Sequence, residues 1–159
     1  MPKKKLNLEK DTTQILQKLI DLIGVRADAV VTSTDQSTDE KQINLEINTE
    51  SDPGLLIGSR GSTLNSLQTI LTLALRQKYG EWVRVNLDIG DWRKKHEEYL
   101  TSLATQAANR ALLTGEPQHL YNLTPSQRRT IHMTLSDNTD ISTESQGEGE
   151  NRYLIIKPK

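Results

Sequence analysis

The chain has 159 residues, 34% hydrophobic and 26% charged, with no cysteine and a formal net charge of -1. That is enough for one medium domain or two small ones. The lack of cysteine excludes disulfides and thiolate metal sites and fits a reducing compartment. The charge balance excludes a strongly basic nucleic-acid footprint. No apolar run approaches a membrane span, and the start Met1-Pro2-Lys3-Lys4-Lys5-Leu6 lacks the apolar stretch of a secretory signal. A cytoplasmic protein without membrane contact is expected. Charge is unevenly spread: +3 over 1–10, -4 over 11–90 and 0 over 91–159. Binding to phosphates therefore rests on local clusters, with a shallow salt dependence.

Residues 1–10 read as a flexible basic tail. Ile15, Leu16, Leu19, Ile20 and Ile23 have helical spacing and predict a helix over 11–23, stopped by Gly24. Residues 28–33 predict a strand and 34–41 a polar, acidic loop. Ile43, Leu45 and Ile47 alternate with Asn44 and Glu46 and predict a half-buried strand that closes a hairpin. Ser51-Asp52-Pro53-Gly54 breaks the sheet, and a helical turn over 54–57 leads into Gly58-Ser59-Arg60-Gly61. Leu64, Leu67, Leu71, Ala74 and Leu75 share one face of a helix over 62–79, with Ser62 as its expected N-cap and Gly80 as its stop. Val83, Val85, Leu87 and Ile89 alternate with polar residues as a third strand.

Asp91 is the expected cap of a long helix over 92–114, whose apolar stripe is Leu100, Leu103, Ala104, Ala107 and Ala111. Gly115-Glu116-Pro117 ends it. His119 to Leu123 predicts a short strand. Thr124-Pro125-Ser126-Gln127 is a helix start in which Thr124 caps, Pro125 takes the first helical position and Gln127 completes a capping box. That helix runs to about Leu135, and 139–144 and 152–157 predict strands around a loop over 146–150. Three spans follow: the tail 1–10, a domain over 11–90 and a domain over 91–159 that includes its long leading helix.

Two places carry chemistry. In Gly58-Ser59-Arg60-Gly61 the glycines tolerate backbone angles and close approach that other residues do not. A nucleic-acid backbone passing over such a turn would meet backbone N–H groups, the positive end of the following helix, and Arg60. A G-x-x-G loop clamping backbone nucleotides is the mark of the KH module. Its bland alternative is a tight turn between helices. No Gly-Lys-Ser/Thr follows, so this is not a P-loop. Arg128 and His132, four apart, share one helix face, with Arg129 beside them. A guanidinium fork and an imidazole both suit phosphate, and the bland alternative is a solvated helix face. Ile57 and Leu64 are candidate apolar walls or core residues. Trp82 and Trp92 suit packing better than base stacking, and Arg93-Lys94-Lys95 a solvated face. No catalytic triad, carboxylate pair or metal-ligand spacing stands out, so a non-enzyme without cofactor or metal is expected.

The order α-β-β-α-α-β with the glycine loop between its central helices resembles a type II KH domain. Leu123-Thr124-Pro125-Ser126-Gln127-Arg128-Arg129-Thr130-Ile131-His132, together with Ser145-Gln146-Gly147-Glu148-Gly149-Glu150-Asn151-Arg152-Tyr153, resembles a small module named for an Arg and a His separated by three residues. A KH domain followed by a long helix and a terminal Arg-xxx-His α/β domain, α+β as a whole, resembles the bacterial Jag family, also called KhpB or EloR, over about residues 11–159. The resemblance implies an RNA-binding protein that holds single-stranded RNA at Gly58, Ser59, Arg60 and Gly61 and at Arg128, Arg129 and His132. Single-stranded DNA is the other candidate ligand. It further implies pairing with a small KH-only protein or with itself, and a post-transcriptional regulator or RNA chaperone linked to cell elongation or division. The sequence departs from the family at two points. A basic tail precedes the first helix where members commonly carry a further domain, and the first loop position, often basic, is Ser59. The alternative is a protein-interaction scaffold in which the acidic KH surface docks a partner.

Overall fold

The computed structural model describes residues 7–35, 41–51 and 53–159; the basic run Lys3–Lys5, loop residues 36–40 and Asp52 lie outside the described residues. Two compact units are present, Met1–Trp92 and Arg93–Lys159.

In the first unit the helix α1, Leu8–Ile23, starts inside the stretch expected to be tail. Asn7 caps it, its Oδ1 accepting the Lys10 N–H at 3.1 Å, and Leu8 is buried in the core. Basic residues dominate that stretch in the sequence and hide one apolar anchor. Gly24 closes the helix in a left-handed conformation, its N–H reaching the Ile20 and Asp21 carbonyls. The strands β1, Asp28–Asp35, and β2, Lys41–Asn48, pair antiparallel. Both extend further into the expected loop than alternation of apolar residues shows. The strand β3, Val83–Asp88, lies parallel to β2, giving the order β1-β2-β3. A parallel neighbour needs a crossover. It is supplied by α2, Pro53–Ile57, a 3-10 turn over Ser59–Gly61, and α3, Ser62–Tyr79.

Leu16, Ile20, Leu56, Leu64, Leu71 and Leu75 from the helices are buried with Ile43, Leu45, Ile47, Val83, Val85 and Leu87 from the strands. Period-two alternation turns polar residues to the other sheet face. There Asn86 Nδ2 donates to Asn44 Oδ1 at 2.7 Å, and Asn44 Nδ2 to Ser33 Oγ at 2.7 Å, linking three strands. Two expected caps differ. Gly61, not Ser62, is the residue before α3; it is left-handed, and Ser62 already has helical angles. Asp91 is left-handed at φ 57, not the extended geometry of a side-chain cap.

The remaining elements are α4, Trp92–Thr114; β4, Gln118–Leu120; α5, Pro125–Thr134; β5, Ile141–Gln146; and β6, Tyr153–Pro158. The strands form an antiparallel sheet in the order β4-β6-β5. Ala104, Ala107, Ala108 and Ala111 of α4 join Ile131, Leu135, Ile141, Leu154 and Ile156 in one core, the small side chains allowing close approach. The β4 strand is shorter than its expected span because Asn122 turns left-handed at φ 57. Gln146 ends β5, not the loop, and Gly149–Asn151 form a 3-10 turn. Both units mix helices with small sheets, the α+β class expected, and the first has the α-β-β-α-α-β order. Among the described residues, no helix is long and apolar enough to cross a membrane.

Candidate nucleic-acid interface

The loop between α2 and α3 is built by its own glycines. Gly58 has φ 72, Arg60 φ 54 and Gly61 φ 80, so three of four residues occupy the left-handed half of the map. The Gly58 N–H donates to the Gly54 carbonyl at 2.8 Å, Gly61 N–H to Gly58 at 3.3 Å, and Ser62 N–H to Ser59. Part of the expected N–H cradle is thus occupied by the turn itself. A Cβ on Gly58 would lie 2.2 Å from Thr63 Oγ1 and 2.7 Å from Thr63 N, so this glycine packs on the first turn of α3. A Cβ on Gly61 would lie 2.2 Å from Cη2 of Trp92. Gly61 is buried, and the close approach it permits is that of an indole. Ser59 and Arg60 are exposed at the loop tip. A non-glycine residue held at positive φ is strained, and here that conformation lifts a guanidinium into solvent. Of the two candidate walls, Leu64 is fully buried core, whereas Ile57 is half-buried against it. Leu55, which the sequence pattern does not single out, is the exposed apolar side chain of α2. Trp92 packs on the core, and Trp82 lies under the Arg76 guanidinium at 5.1 Å.

In the second unit, the capping box forms as expected. Thr124 Oγ1 accepts the Gln127 N–H at 3.2 Å, and Gln127 Oε1 accepts the Thr124 N–H at 2.9 Å. With that oxygen engaged, the Gln127 amide nitrogen faces His96 Nε2 at 2.9 Å, which accepts it. The cap sets the angle at which α5 presents Arg128 and His132. Arg128 is half-buried; its Nη1 donates to the Leu123 carbonyl at 2.7 Å and the Arg152 carbonyl at 3.4 Å. His132 is exposed, and its Nδ1 hydrogen-bonds Thr143 Oγ1 of β5. Arg129 is exposed one residue further round the helix.

Arg152, which the sequence pattern does not single out although it stands in the string that carries the resemblance, lies beside Arg128. It is exposed, its Nε donates to Ser145 Oγ at 2.9 Å, and its carbonyl takes the Arg128 guanidinium. Thr143 and Ser145, two apart in β5, hold His132 and Arg152 respectively. These partners are brought together by tertiary packing of α5 and of the turn before β6 against β5, which no local signal in the sequence specifies.

Two family models match the chain: KhpA/KhpB, KH domain, over residues 13–89, and the Arg-xxx-His domain over residues 98–158. Fold and matches together define a protein with a KH domain followed by an Arg-xxx-His domain, the latter spanning Arg128, His132 and Arg152. A Bacillus subtilis (strain 168) protein named RNA-binding protein KhpB is 38% identical over 146 residues, covering 91% of this chain and 67% of that protein. Its namesake from Clostridium symbiosum is 31% identical over 157 residues, covering 99% and 69%. That of Streptococcus pneumoniae serotype 2 is 27% identical over 153 residues, covering 94% and 45%. The chain belongs to the KhpB family.

Proposed function

We propose that this chain binds single-stranded RNA through two surfaces, the Gly58–Gly61 tip with Ser59 and Arg60, and the cluster of Arg128, His132 and Arg152 with Arg129 at its edge. The observation that carries this reading is the gathering of Arg128, His132 and Arg152 from a helix and a strand start, each oriented by a defined hydrogen bond. Pre-oriented guanidinium and imidazole groups bind phosphate at lower ordering cost than free side chains. Phosphate contacts position a strand without reading bases, so sequence preference is weak. Two tethered weak sites give avidity through effective concentration. The relatives carry the name RNA-binding protein, which supports a binding role. The family resemblance supports a role in post-transcriptional control and in cell elongation or division, and the cysteine-free composition supports a cytoplasmic setting.

Fluorescence anisotropy with a labelled single-stranded RNA, repeated across a salt series, tests this. Arg60→Glu and His132→Ala each weaken binding, and Arg60→Glu flattens the slope of log affinity against log salt by about 0.7 for each phosphate no longer neutralised. Parent-like affinity and slope in both variants would remove the assigned sites. A specific observation favours a second reading, pairing with a small KH-only protein or with a second copy. Ile70 and Leu73, 47% and 55% exposed, form an apolar stripe on the outer face of α3. Partner capture that survives RNase and is abolished by Leu73→Glu would support it.

A further inference from the structure

The sheet β4-β6-β5 has two faces. Leu120, Leu154 and Ile156 belong to the core side. One residue along, His119, Tyr153 and Ile155 fall on the opposite side, joined by Tyr121 just past the end of β4. There the His119 and Tyr121 rings lie 6.2 Å apart at 17°, Tyr121 and Tyr153 5.0 Å apart at 35°, and His119 and Tyr153 5.7 Å apart at 49°. Two of the chain's four tyrosines stand in this one group. Tyr121 is 60% exposed, while Ile155 is only 8% exposed although it is no part of the core cluster. What the patch shows to solvent is therefore aromatic ring, not aliphatic surface.

The pairing Leu120↔Leu154 and Gln146↔Tyr153 puts Tyr121 and Tyr153 at the sheet end where β6 begins. Arg152 stands immediately before Tyr153 at that same end, bonded to Ser145 and Arg128. The cation on the ring side, Lys157, is held by Glu144 at 3.0 Å. Consecutive residues thus turn a phosphate donor to one face and a ring to the other, and the ring face carries an internally neutralised ion pair. A planar, uncharged group that travels with phosphates fits this end of the sheet, and an unpaired base is such a group. An apolar protein segment would meet no exposed aliphatic surface here.

We propose that His119, Tyr121 and Tyr153 form a stacking platform for unpaired bases of the strand whose phosphates lie on Arg128, Arg152 and His132, a proposal that rests on the single-strand reading above. Stacking accepts any base, because each has a π face. The platform adds affinity without sequence readout and without salt dependence.

The test uses the full chain and two labelled probes, short oligo(rA) and a ribose-phosphate oligomer of the same length lacking bases. The expected result is that Tyr121→Leu lowers the ratio of oligo(rA) affinity to abasic affinity about tenfold, and Tyr121→Phe restores it. Tyr121 is exposed, so neither change threatens folding, and Tyr153→Leu is a second, independent variant. The platform is overturned if Tyr121→Leu and Tyr153→Leu both keep the parent ratio while His132→Ala still weakens both probes; the phosphate reading then stands. It is equally overturned if Tyr121→Leu weakens both probes alike, since the ring would then be shaping the phosphate site. A parent that binds neither probe removes the platform and the single-strand reading together.

Discussion

Gly61 is held to glycine by a residue 31 positions away in the chain. Its φ of 80 is one constraint, and the Trp92 indole, 2.2 Å from where a Cβ would stand, is a second. Gly80 supplies the comparison: φ 74 and open space around its missing side chain. Gly80→Ala therefore bears only the conformational cost, about 1 kcal/mol, whereas Gly61→Ala must also displace the indole and costs about 2–3 kcal/mol. Urea unfolding of the two variants measures the difference. If they lose the same stability, the indole yields freely and the second glycine is reserved for something outside the chain. Local residue preference shows the turn at Gly58–Gly61 plainly, because two glycines around two polar residues are a short-range pattern. It does not show Trp92, because a contact between distant positions leaves no mark on either neighbourhood. The expected phosphate cradle is thereby narrowed to Ser59 and Arg60.

Among the elements, the start of α5 and its cap are legible in four consecutive residues; α3 and α4 begin at the expected residues but without the expected side-chain caps, and α1 begins three residues before its expected start. A capping box is a closed local circuit. Thr124 and Gln127 satisfy each other's backbone N–H groups, so the residue types at that spacing are nearly sufficient. The start of α3 depends instead on a left-handed Gly61 that swings the chain, and Ser62, a good cap in isolation, is carried past its cap position. The α5 cap also leads toward the site. Thr124→Ala removes one bond at the helix edge and costs about 1 kcal/mol. Gln127→Ala removes two bonds, to the Thr124 N–H and to His96 Nε2, both on half-buried residues, and costs about 1–3 kcal/mol. Equal urea midpoints for the two variants would show that the bond to His96 contributes nothing. Strand ends fared worst, since β1 and β2 continue past the apolar alternation that predicts them. Pairing with a neighbour, not burial, extends β1 to Asp35 opposite Gln42 and starts β2 at Lys41 opposite Val83 of β3.

At the scale of the whole molecule, element order is written in periodicity and punctuation. The tertiary bonds that close the first unit are not. Tyr79, at the end of α3, donates to Asp11 Oδ2 at 2.9 Å, 68 residues away, while Lys78 meets Asp11 Oδ1 at 2.7 Å. Burial first, then the hydrogen bond to Asp11 and its negative charge, push the Tyr79 hydroxyl from 10 up to about 12. In the unfolded chain that hydroxyl loses its proton near pH 10, whereas the folded chain keeps it until about 12. Over that window the folded state binds more protons than the unfolded state, so stability falls as pH rises. The contribution is fully present below pH 10 and is lost on passing through about 12. Other groups titrate in the same range, so Tyr79→Phe serves as the reference: the excess stability of the parent over this variant, from urea midpoints, is constant in the neutral range and shrinks between pH 10 and 12. A difference that stays flat across the window would mean that the hydroxyl is not held by Asp11, and that some other contact closes α3 onto α1.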